Sequence, residues 1–246
     1  MRIFRTFALS LSVCVSVASA GTLVGVNFGA PGSLSPTNWT LDTGNGTINN
    51  LIDSTGAPTS ISITLSSTGG PPLQSSSAGA PSPSTIPSDA PTLSNLQSNL
   101  FNNGPASLTA QFSGLTPNAS YSVYAIGFRF NGNMDQTVTI TGSGAPVVLA
   151  QSGPNLSLFF NGSIGSSSQT LESYAQSIQA SGTGTISILF TAGATRYNAA
   201  GVALSSTPFI PATPAPSSLI LLLIGLAGGA FVFWAPRFRR FQRRPC

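Results

Sequence analysis

Residues 121–130, YSVYAIGFRF, decide the fold class. Side chains of an extended chain point alternately to opposite faces. Tyr121, Val123, Ala125, Gly127 and Arg129 therefore share one face, and Tyr124, Ile126, Phe128 and Phe130 the other. The aromatic and β-branched content suits a strand. Working outward, the same two-residue period recurs in Gly21–Phe28, in Ser60–Leu65 with Ile61, Ile63 and Leu65 on one face, and in Leu108, Ala110 and Phe112. Further short runs are Thr137–Thr141, Pro146–Ala150, Leu156–Phe160, Tyr174–Ala180, Thr185–Thr191 and Ala200–Ser205. Gly, Asn and Pro separate them, and none of this region carries a helical stripe. The pattern predicts an all-β domain over 21–206, a β-sandwich of jelly-roll type with about ten to twelve short strands. Ser67–Pro91 is nearly all Ser, Gly, Pro, Ala and Thr, with only Leu73 and Ile86 to bury, so 67–104 is expected as a long mobile loop inside the domain.

The composition removes many chemistries. The 246-residue chain has nine Arg, no Lys, five acids, no His and two Cys. Without His there is no Ser-His-Asp triad and no imidazole base, and without Lys there is no Schiff base and no P-loop. The net charge of +4 is not a nucleic-acid footprint. Arg2 and Arg5 lie at the start and Arg237, Arg239, Arg240, Arg243 and Arg244 at the end. Between them only Arg129 and Arg196 face Asp42, Asp53, Asp89, Asp135 and Glu172, so the middle is weakly acidic. No nucleic-acid partner is expected.

Both ends read as addresses. Residues 1–20 have a basic start, an apolar stretch from Phe7 to Ala18 and the small-x-small pattern of Ala18 and Ala20, which predicts a signal peptide cut by signal peptidase after Ala20. Residues 207–216 form a Pro-rich stalk. Residues 217–235 are 19 positions without a charge, long enough for a transmembrane helix. The Arg-rich tail 236–246 puts that end in the cytoplasm by the positive-inside rule. Cys14 leaves with the signal peptide and Cys246 is the last residue, so the exported part has no cysteine and no disulfide.

Pro211-Ala212-Thr213-Pro214-Ala215-Pro216-Ser217, the apolar span and Arg237-Phe238-Arg239-Arg240 together resemble the C-terminal sorting signal of PEP-CTERM proteins. Pro214 and Pro216 fall on the two prolines of the family motif, and Ala215 stands where Glu is usual. The resemblance implies an exosortase substrate of a polysaccharide-producing Gram-negative bacterium, anchored in the inner membrane and then sorted to the cell surface or beyond. The opening Val26-Asn27-Phe28-Gly29, Asn38-Trp39 and Leu51–Gly56, with the closing Asn198–Leu204, resembles β-sandwich modules of such proteins and a galactose-binding-like jelly roll. Leu115-Thr116-Pro117-Asn118-Ala119-Ser120-Tyr121 resembles the lead-in to a strand in fibronectin type III sandwiches, which implies a Tyr121 hydroxyl bonded back to the turn.

Chemistry inside the domain is sparse. Asp42 and Asp53 are weighed as a hydrolase pair against solvated loop acids, and Asp53-Ser54-Thr55-Gly56 reads as a turn capped by the Asp side chain. Calcium is a weak alternative at Asp42 and Asn45 and at Asp135, where Asn-Gly turns explain the same residues. Trp39 is the lone tryptophan of the exported part; it and Tyr174 are the candidate glycan contacts. The expected function is an exported, surface-sorted, non-catalytic protein associated with exopolysaccharide or a biofilm matrix. The alternative is a membrane-anchored carbohydrate-binding module.

Overall fold

In the computed structural model, residues 22–206 are described, except 45, 76–78, 104, 105 and 195. The signal-peptidase site, the stalk with its sorting motif, the 217–235 span and the basic tail lie outside the described residues. Among the described residues no helix is long and apolar enough to cross a membrane. The strands are β1 (Leu23–Phe28), β2 (Thr40–Asp42), β3 (Gly46–Ile48), β4 (Ser62–Thr68), β5 (Leu73–Ser75), β6 (Asn99–Asn103), β7 (Ser107–Ser113), β8 (Ser120–Phe128), β9 (Met134–Thr141), β10 (Val147–Gly153), β11 (Leu158–Phe160), β12 (Ser163–Ile164), β13 (Gln176–Gln179), β14 (Ile186–Ala192) and β15 (Arg196–Ser205). Every predicted strand is present. The short strands β2, β3, β5, β6 and β12 are additional, and each is too short or too polar to show an alternation of its own.

The strands form two sheets. One runs β12-β11-β8-β15-β1-β2, with β13 also on β8, β6 also on β15, and β5 on β6. The other runs β10-β9-β14-β7-β4-β3. The all-β, two-sheet sandwich expected from the sequence is therefore the observed architecture. The main core lies between the sheets. Val26, Phe28, Val123, Ala125, Val202 and Leu204 of the first sheet meet Leu108, Phe112, Val138, Ile140, Ile188 and Phe190 of the second. The Tyr121 hydroxyl accepts a hydrogen bond from the Thr116 N–H at 2.9 Å, so the corner implied by the sandwich resemblance is built as expected.

The first sheet is apolar on both faces. All residues of β8 from Tyr121 to Phe128 are buried, and β1 is buried throughout. Tyr124, Ile126, Phe128, Ala200 and Ala203 face away from the second sheet and pack with Leu93, Leu96, Leu158, Phe160 and Leu171. This cover corrects the reading of 67–104 as a mobile loop. That stretch holds the end of β4, then β5, two 3-10 turns at Pro83–Thr85 and Pro91–Asn95, and β6. Leu93 and Leu96 are almost wholly buried, each stabilising by roughly 1.5–3 kcal/mol relative to exposure. The run Ser67–Pro91 hid this because its composition is loop-like, while the residues that anchor the cover follow it.

One edge of β8 is shared, with β13 on residues 120–123 and β11 on residues 126–128. Asn161 fills the gap between them. Its Oδ1 accepts the Ala125 N–H at 3.0 Å, and its own N–H donates to the Ala125 carbonyl at 2.9 Å. Its Nδ2 donates to the carbonyls of Val123 and Tyr174. Asn161 sits at φ 53°, a left-handed conformation that Asn tolerates better than most residues. Asn161→Ala strands several buried backbone groups at once. With each orphaned group costing about 1–3 kcal/mol, urea unfolding should show a loss of at least about 3 kcal/mol; a loss below about 1 kcal/mol would contradict this role.

Candidate functional site

A cleft of about 220 Å³ opens on the covered side of the first sheet. It is lined by Leu23, Thr37, Trp39, Ser54, Asp89, Ala90, Thr92, Leu93 and Leu171. The chain places Trp39 there through the turn that precedes it. Asn38 takes a left-handed φ of 59°, its Nδ2 donates to the Ser54 carbonyl at 2.8 Å, and the Trp39 N–H donates to the Pro36 carbonyl at 3.1 Å. The indole lies on the backbone of β1 and β15. A Cβ built at Gly25 would fall on the indole, and one at Gly201 would lie 3.5 Å from Cζ3. Trp39 is half-buried, with part of its surface left to the cleft.

Asp89 arrives from the cover. Its Oδ1 accepts the Leu171 N–H at 2.8 Å, and Ser88 donates from its N–H to the Gln169 carbonyl at 2.9 Å. These bonds tie the 83–95 segment to the 3-10 turn Leu171–Tyr174. Glu172 of that turn accepts a hydrogen bond from the Tyr124 hydroxyl at 2.8 Å, and Ser122 donates to it at 3.4 Å. Burial, then the Glu172 bond, push the Tyr124 phenol far above its ordinary range. The neighbourhood of Asp89 and Glu172 could not be read from the sequence, because the two acids are 83 positions apart and are joined only through the cover.

The other sequence candidates do not converge on this cleft as a group. Asp42 lies opposite Phe28 and Asp53 opposite Val24 along β1. Four residues of strand set their backbone positions roughly 13 Å apart along β1, and each carboxylate is engaged by its own turn. Asp42 Oδ1 accepts the Gly44 N–H at 2.8 Å. Asp53 Oδ1 accepts the Thr55 hydroxyl at 2.6 Å and the N–H groups of Thr55 and Ala57, the capped turn expected from Asp53–Gly56. These donors, the Thr55 hydroxyl first, hold the Asp53 carboxyl below its ordinary 3.8.

Asp135 stands at the start of β9, on the other sheet, and its Oδ2 accepts the Ala194 N–H at 3.1 Å. Arg129 donates to the carbonyls of Asn131, at 2.6 Å, and Asn133. A guanidinium thus faces the oxygens that a calcium ion would need in that loop. Asn45 lies outside the described residues. Tyr174, expected as a glycan contact, is instead a core residue. It is 8% exposed, its ring stacks on Phe160 at 5.0 Å, and burial raises its phenol.

No protein-family model matches the chain, and no curated protein matches it. Solved structures give distant matches. The enzymatically active domain of tailspike protein 4 from bacteriophage CBA120 is 12% identical with a TM-score of 0.32, over 58% of this chain and 18% of that one. The CBM22-1–GH10 modules of endo-1,4-β-D-xylanase 10B from Clostridium thermocellum, complexed with xylohexaose, are 9% identical with a TM-score of 0.31, over 57% of this chain and 25% of that one. An exo-β-1,3-galactanase from Phanerochaete chrysosporium with galactose is 14% identical with a TM-score of 0.30, over 61% of this chain and 35% of that one. The matched chains include carbohydrate-binding modules and glycoside hydrolases, and this chain spans well under half of each of these three.

Two outcomes follow from the geometry. Gly25→Ala should displace the indole while leaving the sandwich intact, because Gly25 needs no positive φ. With Trp39 the one tryptophan of residues 22–206, a red-shifted emission of that domain at unchanged far-ultraviolet dichroism would report it, and an unshifted spectrum would contradict the packing. Because folding lowers the Asp53 pKa, the folded state binds fewer protons than the unfolded state. Its stabilisation is therefore complete above the unfolded value of 3.8 and drains as pH falls through the lower folded value. Asp53→Asn should flatten the acid limb of a stability–pH curve below about pH 4; an unchanged limb would count against this assignment.

Proposed function

We propose that the chain is an exported, non-catalytic surface protein whose sandwich, of jelly-roll and galactose-binding-like type, holds neutral polysaccharide of an extracellular matrix. The observation that carries the reading is the Trp39 cleft. A half-buried indole lies on Gly25 and Gly201, flanked by the hydroxyl-bearing Thr37, Ser54 and Thr92. Pyranose rings offer C–H faces to an aromatic surface and hydroxyls to polar neighbours, and the cleft is smaller than the roughly 300–1,000 Å³ of drug-sized sites, on the scale of one sugar unit. The non-catalytic reading is supported by the use made of the carboxylates. Asp42, Asp53, Asp89 and Asp135 hold backbone N–H groups, and Glu172 accepts from Tyr124.

The route to the surface rests on the sequence. Signal peptidase frees Gly21, the 217–235 span holds the chain in the inner membrane, and an exosortase cleaves near Pro214–Pro216. Ala215 in place of Glu is the departure that processing must tolerate. The alternative, an uncleaved membrane-anchored carbohydrate-binding module, shares the Trp39 cleft and differs only in the fate of the tail.

Affinity electrophoresis of residues 21–206 in gels carrying soluble neutral galactan or xylan should show retardation. Trp39→Ala should weaken it about tenfold, a loss of about 1.4 kcal/mol. Added salt should change little, because the cleft holds one charged side chain. A folded domain retarded by neither glycan would overturn the reading. Intact mass of the protein from its native host separates the two fates: a chain ending near residue 216 supports sorting, and one running from Gly21 through Cys246 supports the permanent anchor.

A further inference from the structure

The six-stranded sheet has a strict two-sided pattern. In β9, Met134, Gln136, Val138 and Ile140 are buried, while Asp135, Thr137, Thr139 and Thr141 alternate with them toward solvent. In β14, Ile186, Ile188 and Phe190 point inward and Ser187, Leu189 and Thr191 outward. β4 and β7 follow the same rule, with Ser62, Thr64, Ser66 and Thr68 outward in one, and Ser107, Thr109, Gln111 and Ser113 in the other.

The register aligns these outward residues into rows across the sheet. One row runs Thr68, Ser107, Thr191, Thr137 and Ala150. The next runs Ser66, Thr109, Leu189, Thr139 and Val148. A third runs Thr47, Thr64, Gln111, Ser187 and Thr141. Spacing is about 4.8 Å between strands and about 6.7 Å between rows. Across all three rows there is no charged side chain and no aromatic ring; Asp135 is at the edge and is bonded to the Ala194 N–H.

Such a face is chemically particular. Solvent-facing sheet surfaces ordinarily carry Lys, Glu and Arg, which keep their own hydration and resist association. Here eleven of the fifteen residues in the rows carry short hydroxyls, each both donor and acceptor, with Ala150, Val148 and Leu189 as apolar positions and Gln111 as an amide among them. The threonines are stiff at χ1 and the serines are small, so little rotamer freedom is lost when they are engaged. Neighbouring hydroxyls already pair, as between Thr47 and Thr64 at 2.8 Å and Thr68 and Ser107 at 2.9 Å. The matching partner is uncharged, itself covered in hydroxyls that donate and accept, and broad enough to meet several strands. A broad sheet face meets a packed polysaccharide surface over more of its area than it meets a lone soluble sugar chain.

We propose that this outer face, formed by β4, β7, β14 and β9, is a second binding surface, and that it takes packed, insoluble neutral polysaccharide. The proposal rests on the polysaccharide reading above and assigns it a site that is separate from the Trp39 cleft. The cleft would hold chain ends or single sugar units, and the sheet face would hold the bulk matrix. Two contacts of different geometry on one domain raise retention by increasing effective concentration.

The test is depletion of residues 21–206 from solution by microcrystalline cellulose and by amorphous cellulose, used as defined neutral solids. The double variant Thr109→Val, Thr139→Val keeps β-branching and removes two central hydroxyls; Thr109→Ser, Thr139→Ser keeps the hydroxyls. We expect the Val pair to reduce binding to the solids about tenfold, as two lost hydrogen bonds imply, with the Ser pair near wild type. Both should leave retardation by soluble galactan or xylan unchanged, whereas Trp39→Ala should do the reverse. Unfolding midpoints near that of the parent confirm that the variants are folded. Wild-type binding of the Val pair to the solids would overturn the sheet-face proposal and leave the cleft standing. A parent that binds neither solid nor soluble glycan would overturn both. Reshaping of ice crystals by the parent, lost in the Val pair, with no polysaccharide binding, would reassign the face to ordered water.

Discussion

The nine-stranded sheet is apolar on both sides, and the rest of the structure answers that constraint. A sheet with one apolar face needs one partner layer; a sheet with two needs two. The six-stranded sheet supplies the first, closing over Val26, Val123 and Val202. The second is supplied by largely irregular chain from 83–98 and 165–175, pinned over Tyr124, Ile126 and Phe128 by Leu93, Leu96 and Leu171. Irregular chain leaves backbone polar groups that need partners. Here side chains provide them. Asp89 holds the Leu171 N–H, Asn99 donates to the Phe128 carbonyl, and Ser98 donates to the Phe28 carbonyl.

The same constraint sets where the domain can bind anything. On the covered sheet, the cover leaves Trp39 half-buried at its margin, and a cleft forms there. On the other sheet most outward residues carry hydroxyls that water can satisfy, so no cover is required and the face stays open. Inside the sandwich, Gln136 and Gln151 bridge the two sheets. Gln136 Oε1 accepts the Asn198 N–H at 2.6 Å and Gln151 Nε2 donates to the Ala125 carbonyl at 3.0 Å. They serve backbone groups beside the irregularity between Ala199 and Gly201 on β15, and Gly127 leaves the space they occupy.

Much of this was legible in the sequence because it is local. Strand identity follows from alternation, as in Ile61, Ile63 and Leu65. The Tyr121 corner and the Asp53 turn follow from spacings of a few residues, and both are present. The cover was not legible. Ser, Pro and Gly over 67–91 have the composition of a free loop, and Leu93 and Leu96 gain meaning only from an apolar sheet face that already exists. That face was visible in YSVYAIGFRF, where both alternating sets contain large apolar residues; a solvated sheet would show one. Tyr174 misled for a related reason, since an aromatic beside polar neighbours reads alike in a core and on a surface. The meeting of Asp89 with the Leu171–Tyr174 turn depends on tertiary contacts that no spacing rule encodes. The rows on the open face need the register of β4, β7, β14 and β9, which the sequence pattern alone leaves undetermined.

The most direct measurement is native-state amide hydrogen exchange across 79–103, compared with β8 and β15. The amides of Leu93 and Leu96 donate within the Pro91–Asn95 turn region, to the Ala90 and Leu93 carbonyls at 3.1 and 3.0 Å. A cover that completes the core should open with the domain, so these amides should exchange with free energies close to those of β8. Exchange at rates near those of an unstructured chain would contradict the account, returning 67–104 to a loop and leaving the outer face of the nine-stranded sheet without its second layer.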